Sequence, residues 1–362
     1  MALFPNILVK ERESSPTPRP MGRRADVGAR PRLEYTAIAL GNLESEAWDQ
    51  FAHRCGAGLR SSSSHLRRFR LKGLVGQSLR LWQAHLHEGG HTRQIAQCAV
   101  VASRDRVIFY DGLQILPEHR GLWRDVMAGL LAELGPGPFE YGWEWSLEPP
   151  QEDLLETLPG VRIDSVRSLS VHGVDFSCWP DWPSYLTQIR KSVRYEARNA
   201  ETRTPGLSLV FRRGLASATR IMGLMNARTT VLRRKGVDAG GLRAVASHLV
   251  SALACPELTY VATIEQKGRV LAWFLGVELA SLSYYWAGAR APEAYGAAWR
   301  LILAMMKRAH DRHPQGKFLM GYVDRPDPNA GQAVGLLSSR QALRINEWPT
   351  SCIRFSWREP GP

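Results

Sequence analysis

One acidic residue interrupts an otherwise apolar strand pattern in the second half of the chain. Glu278 lies within Val270 to Leu282, a run too short to cross a membrane. Burial raises the pKa of a carboxyl group toward the range useful for proton transfer, so Glu278 is a candidate general base. Glu144 is a second candidate, because it alternates with Trp143 and Trp145 and therefore points to the other face of its strand.

The pentapeptide His87-Glu88-Gly89-Gly90-His91 reproduces the HExxH pattern of zinc metalloproteases. That chemistry requires both histidines on one face of a helix. Two adjacent glycines oppose a helix by about 1 kcal/mol each. Strand-like segments flank the motif on both sides. The segment therefore predicts a hairpin turn, and we expect no metal in this protein.

Three arginines recur every four residues in the middle of the chain. Arg190, Arg194 and Arg198 would share one face of a helix with an apolar stripe beside them. From Pro183 to Gly214, seven Lys or Arg residues oppose two acids. Such a face suits an anionic acceptor, a tRNA-borne donor or the phosphates of CoA. A solvated basic surface is the alternative interpretation.

The bulk composition is that of a globular protein. The chain has 362 residues, of which 44% are hydrophobic and 22% charged, and a net charge of +13. The length favours two domains, and the charge predicts attraction to polyanions. The five cysteines are dispersed without a CxxC pair, which indicates structural thiols. No signal-peptide or membrane-spanning pattern is visible, so we expect a cytoplasmic protein.

Residues 1–32 form a basic, Pro-rich arm that we expect to be disordered, since seven Lys or Arg residues there oppose three acids. After the arm, hydrophobic periodicity predicts the order strand, two helices, three strands, helix, strand, helix, strand. The same order recurs from residue 207 to the end of the chain, with a long helix from about Glu293 to Arg312. The chain is thus predicted to hold two α/β domains, at 33–175 and 176–362.

This repeated order resembles the GNAT (GCN5-related N-acetyltransferase) fold, and its duplication resembles the tandem acyltransferases of the FemAB-like and CelD-like group. The link between the copies strengthens the resemblance, because Trp179, Trp182 and Tyr185 lead into the arginine-spaced helix as at the join in that group. The resemblance covers about residues 33–358. It implies an α/β fold with two tandem GNAT-like domains, each a mixed central sheet flanked by helices.

The resemblance also implies a site for acyl-CoA at the start of the long helix after the fourth strand, where GNAT domains hold a pyrophosphate on backbone N–H groups. In the first half, Arg120-Gly121 resembles the opening of that loop. Trp123 stands where a small residue is expected, so this copy is interpreted as degenerate. In the second half, Arg290, Gly296 and Ala297 would bind the cofactor. A helix start that uses small residues for packing is the alternative.

The implied reaction moves an acyl group from an acyl thioester, either acyl-CoA or acyl carrier protein, to an amine or hydroxyl acceptor. Glu278 would act as base, and Tyr285 would protonate the leaving thiolate, with Tyr284 and Tyr322 as alternatives. The expected partner is an anionic or carrier-borne substrate. Transfer from aminoacyl-tRNA, as in FemAB-like enzymes, is a second hypothesis. A non-catalytic polyanion-binding module is the third, and a metal hydrolase the fourth.

Overall fold

The computed structural model describes nine stretches of the chain, with backbone alone at 231–234: residues 32–69, 78–103, 105–149, 151–234, 249–250, 252–292, 294, 296–325 and 337–359. Almost the whole predicted arm, residues 1–31 of 1–32, lies outside them. The helices predicted near 241–254 and 330–342 also lie largely outside them.

The first half of the chain follows the predicted order closely. Its seven strands are β1 (Arg32–Ile38), β2 (Ser78–Glu88), β3 (His91–Ala102), β4 (Val107–Phe109), β5 (Gln114–Ile115), β6 (Gly137–Tyr141) and β7 (Val161–Asp175). Its helices are α1 (Ser45–Arg54), α2 (Ser63–Leu66), α3 (Trp123–Leu134) and α4 (Glu152–Glu156). The strand predicted from 106 to 116 is divided into β4 and β5 by a turn at Gly112, whose φ is +75°.

The second half repeats this order after two linking helices. The helices are α5 (Trp182–Gln188), α6 (Lys191–Arg203), α7 (Leu215–Arg234) and α8 (Ala297–Arg312). The strands are β8 (Ser208–Arg213), β9 (Thr259–Gln266), β10 (Arg269–Leu279), β11 (Leu282–Arg290), β12 (Lys317–Asp324) and β13 (Asn346–Trp357). The long helix α8 begins at Ala297, four residues later than predicted, because Gly296 occupies the N-cap position with a left-handed φ of +74°.

All the strands belong to one mixed sheet of 13 strands, in the order β1-β2-β3-β4-β6-β13-β7-β12-β11-β10-β9-β8, with β5 attached to β3. Two neighbouring pairs are parallel, β4 with β6 and β11 with β12, and the other pairs are antiparallel. Each half therefore contributes four strands in antiparallel pairing, β1 to β4 and β8 to β11, followed by one strand, β6 or β12, that pairs in parallel with the last of the four. The predicted α/β class and the two tandem GNAT-like units are confirmed.

The last strand of each half lies beside the strands of the other half. β13, from the second half, pairs with β6 of the first half, and β7, from the first half, pairs with β12 of the second. β7 and β13 also pair with each other over Asn346–Trp357 of β13. Two expected sheets are thus joined by a reciprocal exchange of strands, a feature that the periodicity of the sequence does not encode. The boundary predicted at 175 and 176 stays a prediction.

Helices on the sheet faces supply the cores of both halves. In the first half α3 buries Val126, Met127 and Leu130 against β2, β3 and β6. In the second half α8 buries Leu301 and Met305 against β9, β10 and β12. The apolar spacing of four along both helices explains this burial. No helix among the described residues has the length and apolar character needed to cross a membrane.

The HExxH segment forms the predicted hairpin. Strand β2 ends at Glu88, the turn is Gly89-Gly90, and β3 begins at His91. Both glycines have positive φ, which a two-residue hairpin turn requires. His87 pairs with Glu34 at 2.8 Å. In the described part of the chain, no group of three or more His, Cys, Asp or Glu residues is arranged to hold a metal ion.

The exchange predicts that β13 supports the core of the first half. Phe355 is fully buried and stacks on Phe139 at 5.3 Å between ring centroids. Phe355→Ala should therefore lower the free energy of unfolding by about 3–5 kcal/mol, measured by urea denaturation. Its neighbour Arg354, whose side chain is 57% exposed beside Glu140, is the control. Arg354→Ala should cost less than about 1 kcal/mol. Equal effects of the two changes would contradict the exchange.

Candidate active site between the two halves

A pocket with polar and apolar walls lies where the two halves meet. The first half supplies the loop after α1, the turn after β4 and the segment after β6, and the second half supplies the start of β11. The lining residues are Gly56, Ala57, Gly58, Asp111, Trp145, Ser146, Leu147, Glu148, Leu282 and Tyr284. A pocket with two carboxyl groups and mixed apolar walls has the character of a ligand site.

Asp111 lies in the turn between β4 and β5 and is 7% exposed. Its Oδ2 accepts a hydrogen bond from the Ser61 hydroxyl. Burial raises the pKa of Asp111 from 3.8 to about 6, and the Ser61 hydrogen bond and the charge of Arg60 oppose that rise. A carboxyl group with this pKa is mostly ionised at neutral pH and can still accept a proton efficiently.

A buried chain of hydrogen bonds holds Asp111 in place. The Gln97 amide donates to the Gln114 carbonyl at 2.9 Å, and the Gln114 amide donates to the Ser61 hydroxyl. Ser61 in turn donates to Asp111, while its backbone carbonyl accepts from the Trp48 indole at 2.7 Å. The bonds from Gln97 to Gln114, from Gln114 to Ser61 and from Ser61 to Asp111 all run in the same direction. The chain therefore fixes the orientation of the carboxylate and supports its ionised form.

Glu148 faces the same pocket from the segment after β6. Burial and, to a smaller extent, the negative charge of Asp111 raise its pKa from 4.5 to about 8, and the charge of Arg120 opposes this rise. Its Oε2 and the Tyr141 hydroxyl lie against Gly112, where an added Cβ would be 3.1 Å and 2.9 Å from these two atoms. Any side chain at Gly112 would therefore disturb the pocket wall as well as strain the turn.

The environments of these two carboxyl groups push their pKa values apart. At pH 7 Asp111 is mainly a carboxylate, whereas Glu148 is mainly protonated. The negative charge of Asp111 contributes to the raised pKa of Glu148, so the two groups are coupled. A proton acceptor and a proton donor in one pocket are the arrangement that acid–base catalysis requires.

Tyr284 brings the second half to this pair. The Tyr284 hydroxyl accepts a hydrogen bond from the Leu59 backbone N–H at 3.2 Å. A Cβ placed on Gly58 would lie 3.5 Å from both the Tyr284 hydroxyl oxygen and the Asp111 Oδ2, so these two atoms flank Gly58. Burial raises the pKa of Tyr284, which therefore keeps its proton.

Strands β11 and β12 separate immediately beyond Tyr284. Their parallel pairing covers only Leu282–Tyr284 with Lys317–Leu319. Past that point Trp145, from the first half, stacks on Trp286 of β11 at 5.7 Å and meets Tyr322 of β12 edge-on at 6.3 Å. The aromatic contact ties the pocket to the place where the two strands diverge.

Glu278 lies on the other face of the sheet. Its neighbour Val277 pairs in register with Tyr284 and points toward the pocket side, so Glu278 points toward α8. Its carboxylate, whose side chain is 10% exposed, is shared by three arginines, Arg213, Arg308 and Arg312. This arrangement is an ion-pair cluster at the C-terminal end of α8, separated from the pocket by the sheet.

The other residues predicted for acid–base chemistry are also held away from the pocket. Tyr285 follows Tyr284 and therefore faces α8, where its ring stacks on Phe274 at 4.8 Å. Glu144 is paired with Arg60 at 3.8 Å and with Arg167 at 3.7 Å. Neither predicted catalytic side chain, Glu278 or Tyr285, therefore lies beside Asp111. Of the three tyrosines considered, Tyr284 is the one that lines the pocket with Asp111.

The predicted cofactor residues lie at the end of β11 and the start of α8. Arg290 is exposed, and its guanidinium donates to the Pro292 carbonyl at 3.3 Å. Ala297 is buried, and a Cβ on Gly296 would lie 2.1 Å from the Glu196 carbonyl oxygen. Gly296 is therefore required by the packing of α6 against α8. A bulky residue at position 296 would displace α6, so its effect on ligand binding would not report on a phosphate site.

In the first half, the expected obstruction by Trp123 does not occur. Its indole is buried in the core and meets Tyr141 edge-on at 6.2 Å. The side chain thus points away from the start of α3. The prediction that this half is degenerate loses its steric argument and stays a prediction.

The three predicted basic residues follow a break between two helices. The single amphipathic helix that the spacing predicts is divided at Ile189, so Arg190 is the N-cap of α6 and Arg194 and Arg198 lie within it. Arg190 and Arg198 are exposed, and Arg194 is partly buried. Among the described residues, none of these three guanidinium groups forms an ion pair. They remain available to an anionic ligand.

Asp111 and Glu148 were not identified from the sequence. Asp111-Gly112 reads as an ordinary turn after a short apolar strand, and Glu148 precedes Pro149 in a loop. Their surroundings are built by residues distant in the sequence: Ser61 beside Asp111, Tyr141 and Gly112 beside Glu148, and Leu282 and Tyr284 of the second half in the pocket wall. No local pattern records these contacts.

Comparison with known proteins agrees with this architecture. Residues 187–321 match the model of the acetyltransferase (GNAT) domain. FemX has a similar structure, with a TM-score of 0.64 and 10% identity over 90% of this chain and 98% of that one. A tandem GNAT protein from the clavulanic acid biosynthesis pathway has a TM-score of 0.51 and 12% identity, over 91% of this chain and 99% of that one.

A conserved protein of unknown function from Bacteroides thetaiotaomicron VPI-5482 is similar as well, with a TM-score of 0.52 and 11% identity, over 90% of this chain and 100% of that one. No curated protein sequence matches. At these identities the structural likenesses establish the fold. The chain has the tandem GNAT fold, and the resemblance inferred from the sequence is confirmed.

The buried carboxyl pair predicts a pH dependence of stability. Both pKa values are higher in the folded chain, from 3.8 to about 6 and from 4.5 to about 8. The folded state therefore binds more protons between about pH 4 and pH 8, and this contribution to the free energy of unfolding falls as the pH rises. Between pH 5 and pH 8, the free energy of unfolding should fall less in the double variant Asp111→Asn, Glu148→Gln than in the wild type. The difference should be a few kcal/mol, on the order expected from such pKa shifts.

Urea denaturation at several pH values measures this difference. Glu144→Gln is the control, because its carboxylate is paired with arginines and partly exposed. The same pH profile in the double variant and the wild type would show that the two carboxyl groups titrate normally.

Proposed function

We propose that this tandem GNAT-fold protein transfers an acyl group from an acyl thioester to an amine or hydroxyl acceptor in the pocket between its halves. Asp111 is the general base and Glu148 the general acid. The observation that carries the proposal is the pair of buried carboxyl groups with separated pKa values, in a pocket that both halves build. The GNAT domain match at 187–321 supports acyl transfer as the class of reaction.

In the proposed reaction, the Asp111 carboxylate takes a proton from the acceptor amine or hydroxyl as that atom attacks the acyl carbonyl. The bond between carbonyl carbon and sulfur then breaks, and the thiolate takes the proton of Glu148. A thiol has a pKa of roughly 8.5, close to that of Glu148 and far below that of the buried tyrosine. Glu148 is therefore the better acid, and Tyr284 positions the reacting groups.

The donor is proposed to lie along β11. Its phosphates would bind near Arg290 and the backbone N–H groups that begin α8, including that of Ala297. The six residue-to-residue steps from Tyr284 to Arg290 span about 20 Å of extended strand. An extended pantetheine arm covers that distance. A donor anchored at Arg290 would thus deliver its thioester beside Tyr284 and the carboxyl pair.

A second candidate donor is aminoacyl-tRNA. The observation that favours it is the basic surface of α6, where Arg190 and Arg198 are exposed without an ion-pair partner among the described residues. A polyphosphate ligand that contacts these residues would bind more weakly as salt increases. The two kinds of donor are distinguished by incubating the protein with acetyl-CoA, decanoyl-CoA or alanyl-tRNA and a panel of primary amines and alcohols. Mass spectrometry then shows which donor gives an acylated product.

With the donor that gives product, Asp111→Asn should lower kcat by about 10² to 10⁴, the usual weight of a general base. Wild-type kcat should rise with pH through the lower pKa, near 6, and fall through the upper one, near 8. Glu148→Gln should lower kcat and remove the alkaline fall. The measurements are steady-state rates from pH 5 to pH 9.

Two carboxylates serve as matched controls. Glu144→Gln changes a carboxylate four residues from Glu148, and Glu278→Gln changes the base predicted from the sequence; both should keep most of the activity. Arg290→Gln should raise the KM for acyl-CoA without a comparable loss of kcat. A large loss in Glu278→Gln with none in Asp111→Asn would move the active site to the face of the sheet that α8 covers.

A further inference from the structure

The outer face of α6 is basic and carries an aromatic ring between its charges. Lys191, Tyr195 and Arg198 follow the helical spacing of four and three residues, opposite Val193 and Ala200, which are buried against α8. Tyr195 is 54% exposed. In the part of the chain that the structure describes, it is the one exposed Tyr, Trp or Phe. This ring is therefore displayed to solvent on a charged surface.

The positive charges on this helix have no acidic partner of their own. Its two acids are engaged with other arginines, since Glu196 pairs with Arg203 at 2.9 Å and Glu201 pairs with Arg300 of α8. Among the described residues, no ion pair is formed by the four remaining cations at the start and on the outer side of α6, Arg190, Lys191, Arg194 and Arg198. The surface is complementary to a partner that brings several negative charges.

The extent of this face exceeds what one phosphate group can contact. The helix rises about 10 Å from Lys191 to Arg198, and the ring of Tyr195 lies between them. An apolar centre with a charged rim is typical of protein interfaces, in which tyrosine is a frequent anchor. The face therefore fits an acidic protein helix better than a small anion.

The same helix lies beside the place proposed for the phosphates of the donor. A Cβ on Gly296 would lie 2.1 Å from the Glu196 carbonyl oxygen, so α6 packs against the start of α8. Ala291, the residue after Arg290, belongs to the same core as the buried face of α6. A protein seated on α6 would thus hold a phosphate-linked arm at the end of β11, about 20 Å of strand from Tyr284.

We propose that α6 docks an acidic carrier protein through Lys191, Tyr195 and Arg198, and that this carrier holds the acyl thioester on a phosphopantetheine arm. The arm matches the length of strand between Arg290 and Tyr284. The inference rests on the proposed function, because it supplies the donor for the same acyl transfer.

The chemistry of the transfer is unchanged by the carrier. The acceptor nitrogen or oxygen bonds to the acyl carbon and gives its proton to Asp111. The bond between that carbon and the carrier's sulfur breaks, and the thiolate takes the proton of Glu148. The products are the acylated acceptor and the carrier with a free thiol.

The test measures binding of an acidic bacterial acyl carrier protein in its holo form, labelled with a fluorophore, to the full chain by fluorescence anisotropy. The double variant Lys191→Glu, Arg198→Glu should weaken binding at least about tenfold, because two attractions become repulsions. Tyr195→Ala should weaken it about threefold to tenfold. Binding to the wild type should weaken as the salt concentration rises.

Matched controls separate docking from net charge and from loss of exposed apolar surface. Arg93→Glu, Arg162→Glu makes the same change of charge at side chains that are 54% and 74% exposed in the first half. Leu209→Ala removes a residue that is 47% exposed on β8. Both controls should bind the carrier as the wild type does. Equal losses in a variant and its control, or no binding by the wild type, would overturn the proposal.

Unacylated tRNA in the same assay tests the other kind of macromolecule. Binding of tRNA without binding of the carrier, lost on reversal of Lys191 and Arg198, would overturn the proposal in favour of a nucleic-acid surface. Circular dichroism checks that each variant folds, and Tyr195→Ala decides if the double reversal does not.

Failure of the docking site and failure of the proposed function give different results. The holo carrier has no acyl group, so its binding needs no turnover. Product from an acyl-CoA in a wild type that does not bind the carrier would refute the docking site alone. Carrier binding that depends on Lys191 and Arg198, together with full activity of Asp111→Asn, would refute the proposed base and support the docking site.

Discussion

The pairing of β7 with β13 is the constraint on which the rest of the structure depends. Each of these strands ends one half of the chain and lies beside the parallel strand of the other half, so backbone hydrogen bonds run unbroken across the sheet from β1 to β8. A linker alone would allow the halves to move independently. The exchanged strands instead fix the turns after β4 and β6 over the start of β11, and the pocket exists because of that placement.

The same packing explains the electrostatics of the pocket. Asp111 and Glu148 lie after β4 and β6 of the first half, and the second half contributes Leu282 and Tyr284 to the pocket that they line. Burial of two neighbouring carboxyl groups opposes stability, because the ionised forms lose water and repel each other. The hydrogen-bond chain through Ser61 offsets part of that cost on Asp111 alone. The asymmetry between the two groups follows from this difference.

The sequence predicted what depends on local pattern. Apolar spacing of four identified α3 and α8, and the Gly89-Gly90 pair identified the β2–β3 hairpin in place of a metal site. The repeated order of elements identified the tandem fold. The exchange of β7 and β13 was not predictable, because strand neighbours far apart in the chain leave no local signal. The break between α5 and α6 was missed since Ile189 is as apolar as the stripe it interrupts.

The candidate site shows the same limit. Glu278 was chosen because an acid in an apolar strand signals burial, and its side chain is 10% exposed. Arg213 at the end of β8 and two arginines near the end of α8, all distant in sequence, make it the centre of an ion-pair cluster. Tyr284 and Tyr285 are indistinguishable by type, and only the pairing of β10 with β11 shows which one faces the pocket. Asp111 and Glu148 acquire their pKa values from burial and from partners distant in sequence, such as Ser61 and Arg60 for Asp111 and Arg120 for Glu148.

The central claim is that Asp111 and Glu148 form a coupled acid–base pair, and direct titration of their carboxyl carbons tests it. In protein labelled with ¹³C at aspartate and glutamate carboxyls, the signals are assigned through Asp111→Asn and Glu148→Gln and followed from pH 3 to pH 10. The account predicts two apparent pKa values near 6 and 8. Neutralising Asp111 should lower the upper value, whereas neutralising Glu148, which is still protonated near pH 6, should leave the lower value nearly unchanged. Two carboxyl groups that titrate independently at their ordinary values, near 4, would contradict it.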